Sequence, residues 1–336
     1  MPETAILRTR ELTKIFTKAD GGTFKALDRV NVELNGGDTL AVVGESGCGK
    51  STLARIILNL SAPDGGEVLY RGERISGLKG RGLLKTREKI QMIFQDPSQA
   101  VNPRMKVKDI VAEPLVNFKR VKSKDKLTKV TELLRDVGLD ESFLDRYPHS
   151  MSGGQLQRVA IARALALKPE LILCDEATSA LDVSIQKVIL ELLKELAKKD
   201  GVHYIFICHD IALAESFANK IAVMYMGRVV ETMAGRSMNR NAKHPYTKLL
   251  LNSVFPLRSG KSRGEPAPVP GKDATPGSEG EVAPKIVEKE ISRAEDHDNS
   301  CVFSHRCPDS CEDCVSVAPE LKEIADGHSL ACHKAV

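Results

Sequence analysis

The sequence predicts an α/β protein with a mixed-sheet core, an antiparallel β subdomain, a helical subdomain and a small cysteine-rich C-terminal extension. Three observations carry this. A Gly-rich stretch, GESGCGKST from Gly44 to Thr52, lies between an apolar run and a helical pattern, the strand, loop, helix context that a phosphate-cradling loop requires. Three later apolar runs, 90–94, 171–174 and 204–208, each end at a polar residue, as buried parallel strands do when their carboxyl ends face a ligand crevice. Finally, Cys301, Cys307, Cys311, Cys314 and Cys332 crowd into residues 301–336.

The elements follow in order. Residues 6–16, 29–34 and 67–75 alternate in polarity between Gly, Asp or Asn and read as antiparallel strands. Residues 39–43 form the strand that feeds the Gly-rich loop, and 53–60 continue as a helix. Helical periodicity between Gln95 and Ser152, including 127–137, is interrupted by Pro97, Pro103, Pro114 and Pro148; this is a helical subdomain at about 97–160 inserted in the sheet. A further helix covers 156–167. Beyond residue 256, Pro266, Pro268, Pro270, Pro276 and Pro284 stand among Gly, Ser and charges that cannot build a core. The expected division is therefore 1–256, a linker at 257–298, and a cysteine-rich region at 299–336. That last region is too short to be stable by burial alone, so a metal or cross-links are expected to order it, a metal before disulfides in a reducing compartment.

Composition bounds the function. A chain of 336 residues, 42% hydrophobic and 28% charged, has the make-up of an ordinary globular protein of about two domains. No apolar run approaches the roughly 18 residues that span a bilayer. The start, MPETAILRTREL, carries charges where an export signal needs an apolar stretch, so a cytoplasmic protein is expected. A net charge of +4, with Lys and Arg interspersed among acids, gives no argument for nucleic acid.

The chemistry is concentrated in five motifs. Gly44, Gly47 and Gly49 let the backbone curl so that the N–H groups of the loop, with Ser46, Cys48 and Thr52, face phosphates, and the following helix aims its positive end at them. Lys50 brings a charge to the β- and γ-phosphates, and the Ser51 hydroxyl is a Mg²⁺ ligand. No NKxD guanine-reading motif follows, which counts against a GTPase. Asp175 would hold Mg²⁺ and Glu176 would deprotonate the attacking water. His209 would touch the γ-phosphate, and Gln95 would sense Mg²⁺ and the water. Each has a plainer reading, as a strand-end polar group or a satisfied core histidine. Ser152, Gly153, Gly154 and Gln155 open a helix whose N-terminus is a second anion site. One chain cannot fold both anion sites onto one γ-phosphate, so a dimer is expected.

On these motifs, residues 5–256 resemble the nucleotide-binding domain of ABC transporters, a P-loop NTPase fold. The resemblance implies Walker A at Gly44 to Thr52, the Q-loop at Gln95, the signature at Ser152 to Gln155, Walker B ending at Asp175, Glu176 as base, a D-loop ending at Asp182 and the switch at His209. It also implies that two domains sandwich two ATP molecules head to tail and that Phe16 stacks on adenine, with Phe24 as the rival. The segments MYMGRVVE, HPYTKLLL, CVFSHRCPDSCEDC and ACH resemble the ATPase subunits of dipeptide and oligopeptide importers, including relatives that carry nickel. HPYTKLLL also reads simply as a short amphipathic surface helix. This resemblance implies a peripheral subunit on the cytoplasmic membrane face, working with a second, different ATPase, two permeases and an extracytoplasmic solute-binding protein, and not with nucleic acid. It further implies a structural [4Fe–4S] cluster on Cys301, Cys307, Cys314 and Cys332, with Zn²⁺ as the alternative and Cys311 as a fifth thiolate. The competing functions are import of nickel or another small solute, a soluble ABC ATPase acting on DNA or ribosomes, and a metal-sensing module.

Overall fold

The structure, a computed structural model, describes residues 5–19, 21–176, 183–254 and 299–334. The chain runs β1 (Leu7–Thr17), β2 (Thr23–Val30), β3 (Glu33–Leu34), β4 (Thr39–Val43), α1 (Lys50–Ile57), β5 (Gly65–Tyr70), β6 (Glu73–Arg74), α2 (Gly80–Lys89) and β7 (Ile90–Ile93). A block of helices follows: α3 (Pro97–Ala100), α4 (Val107–Asn117), α5 (Lys126–Asp136) and α6 (Gly153–Leu165). Then come β8 (Leu171–Asp175), α7 (Val183–Asp200), β9 (His203–Cys208), α8 (Ile211–Phe217), β10 (Lys220–Tyr225), β11 (Arg228–Ala234), α9 (Met238–Asn241) and α10 (Pro245–Val254). After residue 298 the described chain adds α11 (Glu312–Ser316), β12 (Lys322–Ala325) and β13 (His328–Leu330).

The larger sheet has the order β12-β13-β11-β10-β4-β9-β8-β7, and the five strands from β10 to β7 are parallel. Strands buried on both faces should be apolar throughout, because successive side chains point to opposite sides. β4 obeys this: Ala41 and Val43 join the core shared with the helical block, whereas Leu40 and Val42 join the core shared with α1 and the smaller sheet. Tyr204 and Phe206 of β9 likewise face one way, and Ile205 and Ile207 the other. The smaller sheet, β2-β1-β5-β6 with β3 on β1, is the expected antiparallel subdomain.

Residues 67–75, read as one strand, split into β5 and β6 at Arg71 and Gly72, whose φ values are 49° and 83°. The structure differs from the sequence reading in four further places. Residues 29–34 are not one strand, because Arg29 takes a left-handed φ of 51° and Asn31 turns its amide to Glu11, so pairing stops at Val30 and resumes at Glu33. Pro114 does not end its helix; it lies inside α4, three residues before the last. The β10–β11 hairpin was not foreseen, although Met226 and Gly227, at φ 43° and 79°, form the two-residue link such a hairpin needs.

The last of these concerns the C-terminal region, which is not a free-standing extension. β13 pairs with β11, matching Glu231 with Leu330 and Thr232 with Ser329, so the region adds two strands to the core sheet. Cys301, Val302, Phe303 and Cys314 are buried in the core that the helical block shares. Its stability therefore draws on the apolar surface of the main core, which removes the size argument for a metal. At the seam the fully buried Glu231 carboxylate takes hydrogen bonds from the backbone N–H groups of Lys243 (2.7 Å) and His244 (3.2 Å), and lies 2.9 Å from His328 Nε2. The expected linker at 257–298 lies outside the described residues.

Candidate functional site

Strand register gathers four of the five motifs. Val43 lies opposite Cys208, Asp175 opposite Ile207, and Cys174 opposite Ile93. The next residues in each strand are Gly44, His209, Glu176 and Phe94 followed by Gln95, so these leave the sheet side by side at its carboxyl edge. That edge is where open parallel sheets bind ligands.

The loop after β4 has the backbone its glycines permit. Gly44 and Gly49 take φ values of 155° and 110°, and a Cβ on either would come within 2.2 Å of the Met224 carbonyl oxygen or 2.4 Å of that of Ala26. Only glycine fits there. Lys50 is buried, and its Nζ donates to the carbonyls of Gly44 at 2.7 Å and Glu45 at 2.9 Å, lying along the inside of the loop. The Ser51 Oγ donates to Asp175 Oδ1 at 3.4 Å, which joins the two residues expected at Mg²⁺. Burial, and then the charge of Glu176, push the Asp175 carboxyl above its ordinary range, while the Ser51 hydrogen bond opposes them. A hydroxyl and a carboxylate together are hard oxygen donors of the kind Mg²⁺ takes.

Glu176 adopts a left-handed φ of 45°, rare outside glycine and concentrated at functional sites. Its N–H donates to the Ile207 carbonyl at 2.9 Å, and its Oε1 stands 3.4 Å from His209 Nδ1. Glu176 and His209 are thus in contact, and Gln95 is exposed beside them. Cys48, Cys174 and Cys208 are all buried, and burial pushes their thiols upward, Cys208 to about 12, so they pack as apolar groups rather than react.

The fifth motif stands apart. Ser152 caps α6: its Oγ accepts from the Gln155 N–H at 3.3 Å, and Gln155 Oε1 accepts from the Ser152 N–H at 3.1 Å. Ser152 and Gly153 are exposed, so the positive end of a thirteen-residue helix opens to solvent. Phe16 and Phe24 are cross-strand partners whose rings stack at 5.7 Å, so the two rivals for adenine form one platform. The expected D-loop, with Asp182, lies outside the described residues.

The C-terminal cysteines gather in one lobe but not as a ligand set. Among the described residues no group of three or more His, Cys, Asp or Glu side chains stands where it could hold one metal ion. Cys314 Sγ instead lies 3.4 Å from Cys311 Sγ, the thiol left out of the expected four, because Cys311 caps α11 and one helical turn returns Cys314 to it. Burial raises the thiols of Cys301 and Cys307, with Cys332 a smaller contribution to each.

Three side chains without a role in the sequence reading belong to this site. Tyr246, expected on the packed face of its helix, is fully buried, and its hydroxyl accepts from the Glu45 N–H at 2.9 Å. Arg306 ion-pairs with Glu45, at 2.9 Å, from the C-terminal lobe. The signal was present, as HPY and RCP within the quoted segments, but no local rule connects either to a loop some two hundred residues away.

Two families match the chain: one described as ABC transporter, over residues 27–179, and one described as the C-terminal region of oligopeptide/dipeptide transporters, over 230–314. The chain is 40% identical to a probable peptide ABC transporter ATP-binding protein, y4tS, of Sinorhizobium fredii, over 98% of this chain and 90% of that one. It is also 40% identical to the oligopeptide transport ATP-binding protein AppF of Bacillus subtilis, over 98% and 97% of the two chains. With OppF of Haemophilus influenzae it shares 39% identity over 93% and 89%. Among solved structures, cbiO1 of Clostridium perfringens, part of the ABC transporter complex cbiONQ, superimposes with a TM-score of 0.64 at 30% identity, covering 76% of this chain and 97% of that one. An ATP-binding cassette solved as a post-hydrolysis dimer with ADP and Pi gives 0.63 at 33% identity, over 68% and 99%.

Proposed function

Because the chain belongs to the ATP-binding subunits of the oligopeptide and dipeptide ABC transporter family, we propose that it hydrolyses ATP to energise import of short peptides through a membrane permease. The observation that carries the chemistry is the strand register that sets Asp175, Glu176 and His209 at one sheet edge, where Ser51 of α1 donates to Asp175. Lys50 and the N–H groups of the loop, with Ser46, Gly47, Cys48, Gly49 and Thr52, hold the phosphates, and Phe16 with Phe24 stacks on the adenine. Ser51 and Asp175 hold Mg²⁺, which when bound neutralises charge on the phosphates. Glu176 holds a water for in-line attack. The water oxygen bonds to the γ-phosphorus, its proton passes to the Glu176 carboxylate, and the bond to the β–γ bridging oxygen breaks to leave ADP and phosphate. His209 positions Glu176 and the γ-phosphate, and Gln95 orders the water.

The open N-terminus of α6 is the half of the mechanism that this chain lends to another. Ser152, Gly153, Gly154 and Gln155 close over ATP bound by a second ATPase subunit, a different chain in this reading, while that chain's equivalent closes over Lys50. Asp182 contacts the nucleotide across the same interface. Of the two permease subunits, one docks in a groove of about 710 Å³ between the helical block and the core, where Leu60, Leu84 and Phe94 are exposed. Phe94 precedes Gln95, so a permease segment seated there is one residue from the site. A solute-binding protein outside the cell delivers peptide, and this subunit sits peripherally on the cytoplasmic face.

A narrower part of the proposal concerns the lobe: Cys301, Cys307, Cys314 and Cys332 take up a [4Fe–4S] cluster in preference to zinc. Four thiols suit either. Closure requires Cys314 to turn away from Cys311. Anaerobically purified protein is expected to carry about four iron atoms per chain and to absorb near 400 nm; protein with neither iron nor zinc ends this part of the proposal.

The catalytic reading is tested with Glu176→Gln in the reconstituted complex. The amide keeps the shape of the side chain but cannot accept a proton, so ATP binding persists and turnover falls on the order of 10²–10⁴-fold. Turnover at the wild-type rate would remove Glu176 from the role of base.

A further inference from the structure

The phosphate-binding loop is held from outside its own motif, and the hold converges on Glu45. The Glu45 N–H donates to Tyr246 Oη at 2.9 Å, and its carbonyl accepts from Lys50 Nζ at 2.9 Å. Its carboxylate receives both arms of the Arg306 guanidinium, Nη1 to Oε2 at 2.9 Å and Nη2 to Oε1 at 3.0 Å. Arg306 comes from the C-terminal lobe, 261 positions along the chain. Its fork is set in place by aromatic rings: the guanidinium carbon lies 5.7 Å from the Tyr225 ring centre and 5.9 Å from that of Phe303. Tyr225, Tyr246 and Phe303 pack on one another at 4.5 to 5.5 Å. A planar, bidentate and stacked arginine is a role that lysine fills poorly.

Two consequences follow for a nucleotide. Lys50 donates to the Gly44 and Glu45 carbonyls and lies 3.7 Å from Cys48 Sγ; where it turns from Glu45 to a phosphate, Tyr246 and Arg306 are the remaining hold on Glu45. Glu45 also places a negative carboxylate in a loop built to receive a polyanion, and Arg306 neutralises it. Both partners are more than a third exposed, at 37% and 36%, and pairs of that kind contribute little to fold stability. The effect of this one belongs to the ligand.

We propose that Arg306 is a positioning residue for ATP binding that acts through Glu45: it fixes and neutralises the Glu45 carboxylate, and so makes nucleotide affinity depend on the docked C-terminal lobe. The test is the ATP dissociation constant of the full chain, measured by equilibrium dialysis for wild type, Arg306→Ala, Arg306→Lys, Glu45→Gln and the Arg306→Ala/Glu45→Gln double variant. Arg306→Ala is expected to weaken binding about fivefold, close to 1 kcal/mol when a factor of ten is about 1.4 kcal/mol. Arg306→Lys keeps the charge and recovers part of the loss. In the Glu45→Gln background, removal of Arg306 changes affinity by less than about twofold, because no carboxylate is left to neutralise. Wild-type affinity in Arg306→Ala overturns the proposal. So does an equal loss in both backgrounds, since Arg306 would then act through the general order of the lobe. If Arg306→Ala does not fold, Arg306→Gln, which keeps donors but not charge, is compared in the same two backgrounds with the same two outcomes.

Discussion

At the carboxyl edge of β4, β9, β8 and β7, residues separated by up to 165 positions, from Gly44 to His209, are brought together by strand register alone. In the C-terminal lobe, five cysteines within 32 positions of one another do not form a single group of three ligands. Distance along the chain is therefore the wrong measure of which motif builds a site. A parallel ladder fixes each residue against its neighbour to within a fraction of a residue, so a polar residue placed just past an apolar run is delivered to a known edge. A short lobe of turns has no such ruler, and its thiols go where local helix geometry and the core surface send them.

The difference can be broken most severely at the one nucleotide motif that lies off the sheet edge. Gly153→Asp puts a carboxylate at the open N-terminus of α6, where the proposed dimer places a γ-phosphate. Unit charges about 4 Å apart at an effective dielectric of about 20 repel by about 4 kcal/mol, so ATPase activity of the reconstituted complex should fall on the order of 10³-fold. ATP binding by the isolated subunit should be unchanged. Equal losses in both assays would mean that α6 serves its own chain's site.

The next largest effect tests whether the lobe belongs to the core. Phe303 is 1% exposed and packs against both Tyr225 and Tyr246. Truncating a buried Phe to Ala costs about 3–5 kcal/mol, and here the cost should appear as one cooperative loss in denaturant unfolding of the whole chain. A separate early transition that leaves the main midpoint in place would mark the lobe as an appendage. The smallest effect sharpens the adenine platform. Phe16→Ala and Phe24→Ala should each weaken ATP binding by about 1–3 kcal/mol, with the double variant less than additive because the rings stack on each other. Loss in only one of the two would show that the other is a support.

Much of this was legible in the sequence, for identifiable reasons. The run at 39–43 became β4 without a change of boundary, and Ser152 did cap its helix, because apolar runs and caps are local signals. β2 was hidden since TFKALDRV does not alternate, and it is held instead by pairing along β1. Of the site, the residues Lys50, Ser51, Asp175, Glu176 and His209 could be named, but not that Glu176 would touch His209 or take a left-handed backbone. Those are products of where β8 and β9 end relative to each other. Glu45, Tyr246 and Arg306 were illegible as a group, because the contact between them exists only after the C-terminal residues have folded back over the sheet.

That return of the chain has a consequence for synthesis. β11 would otherwise be the outermost strand on its side, with unpaired N–H and C=O groups open to any other strand. β13 pairs with the middle of β11, and beyond it the last strand, β12, is four residues long and carries Lys322 and Glu323 exposed, a poor template for further pairing. The residues that complete this border, 322–330, leave the ribosome after every other strand of the sheet. Until they emerge, the nascent protein holds a nearly finished sheet with β11 open at its side, so truncation before residue 322 should be felt first as aggregation.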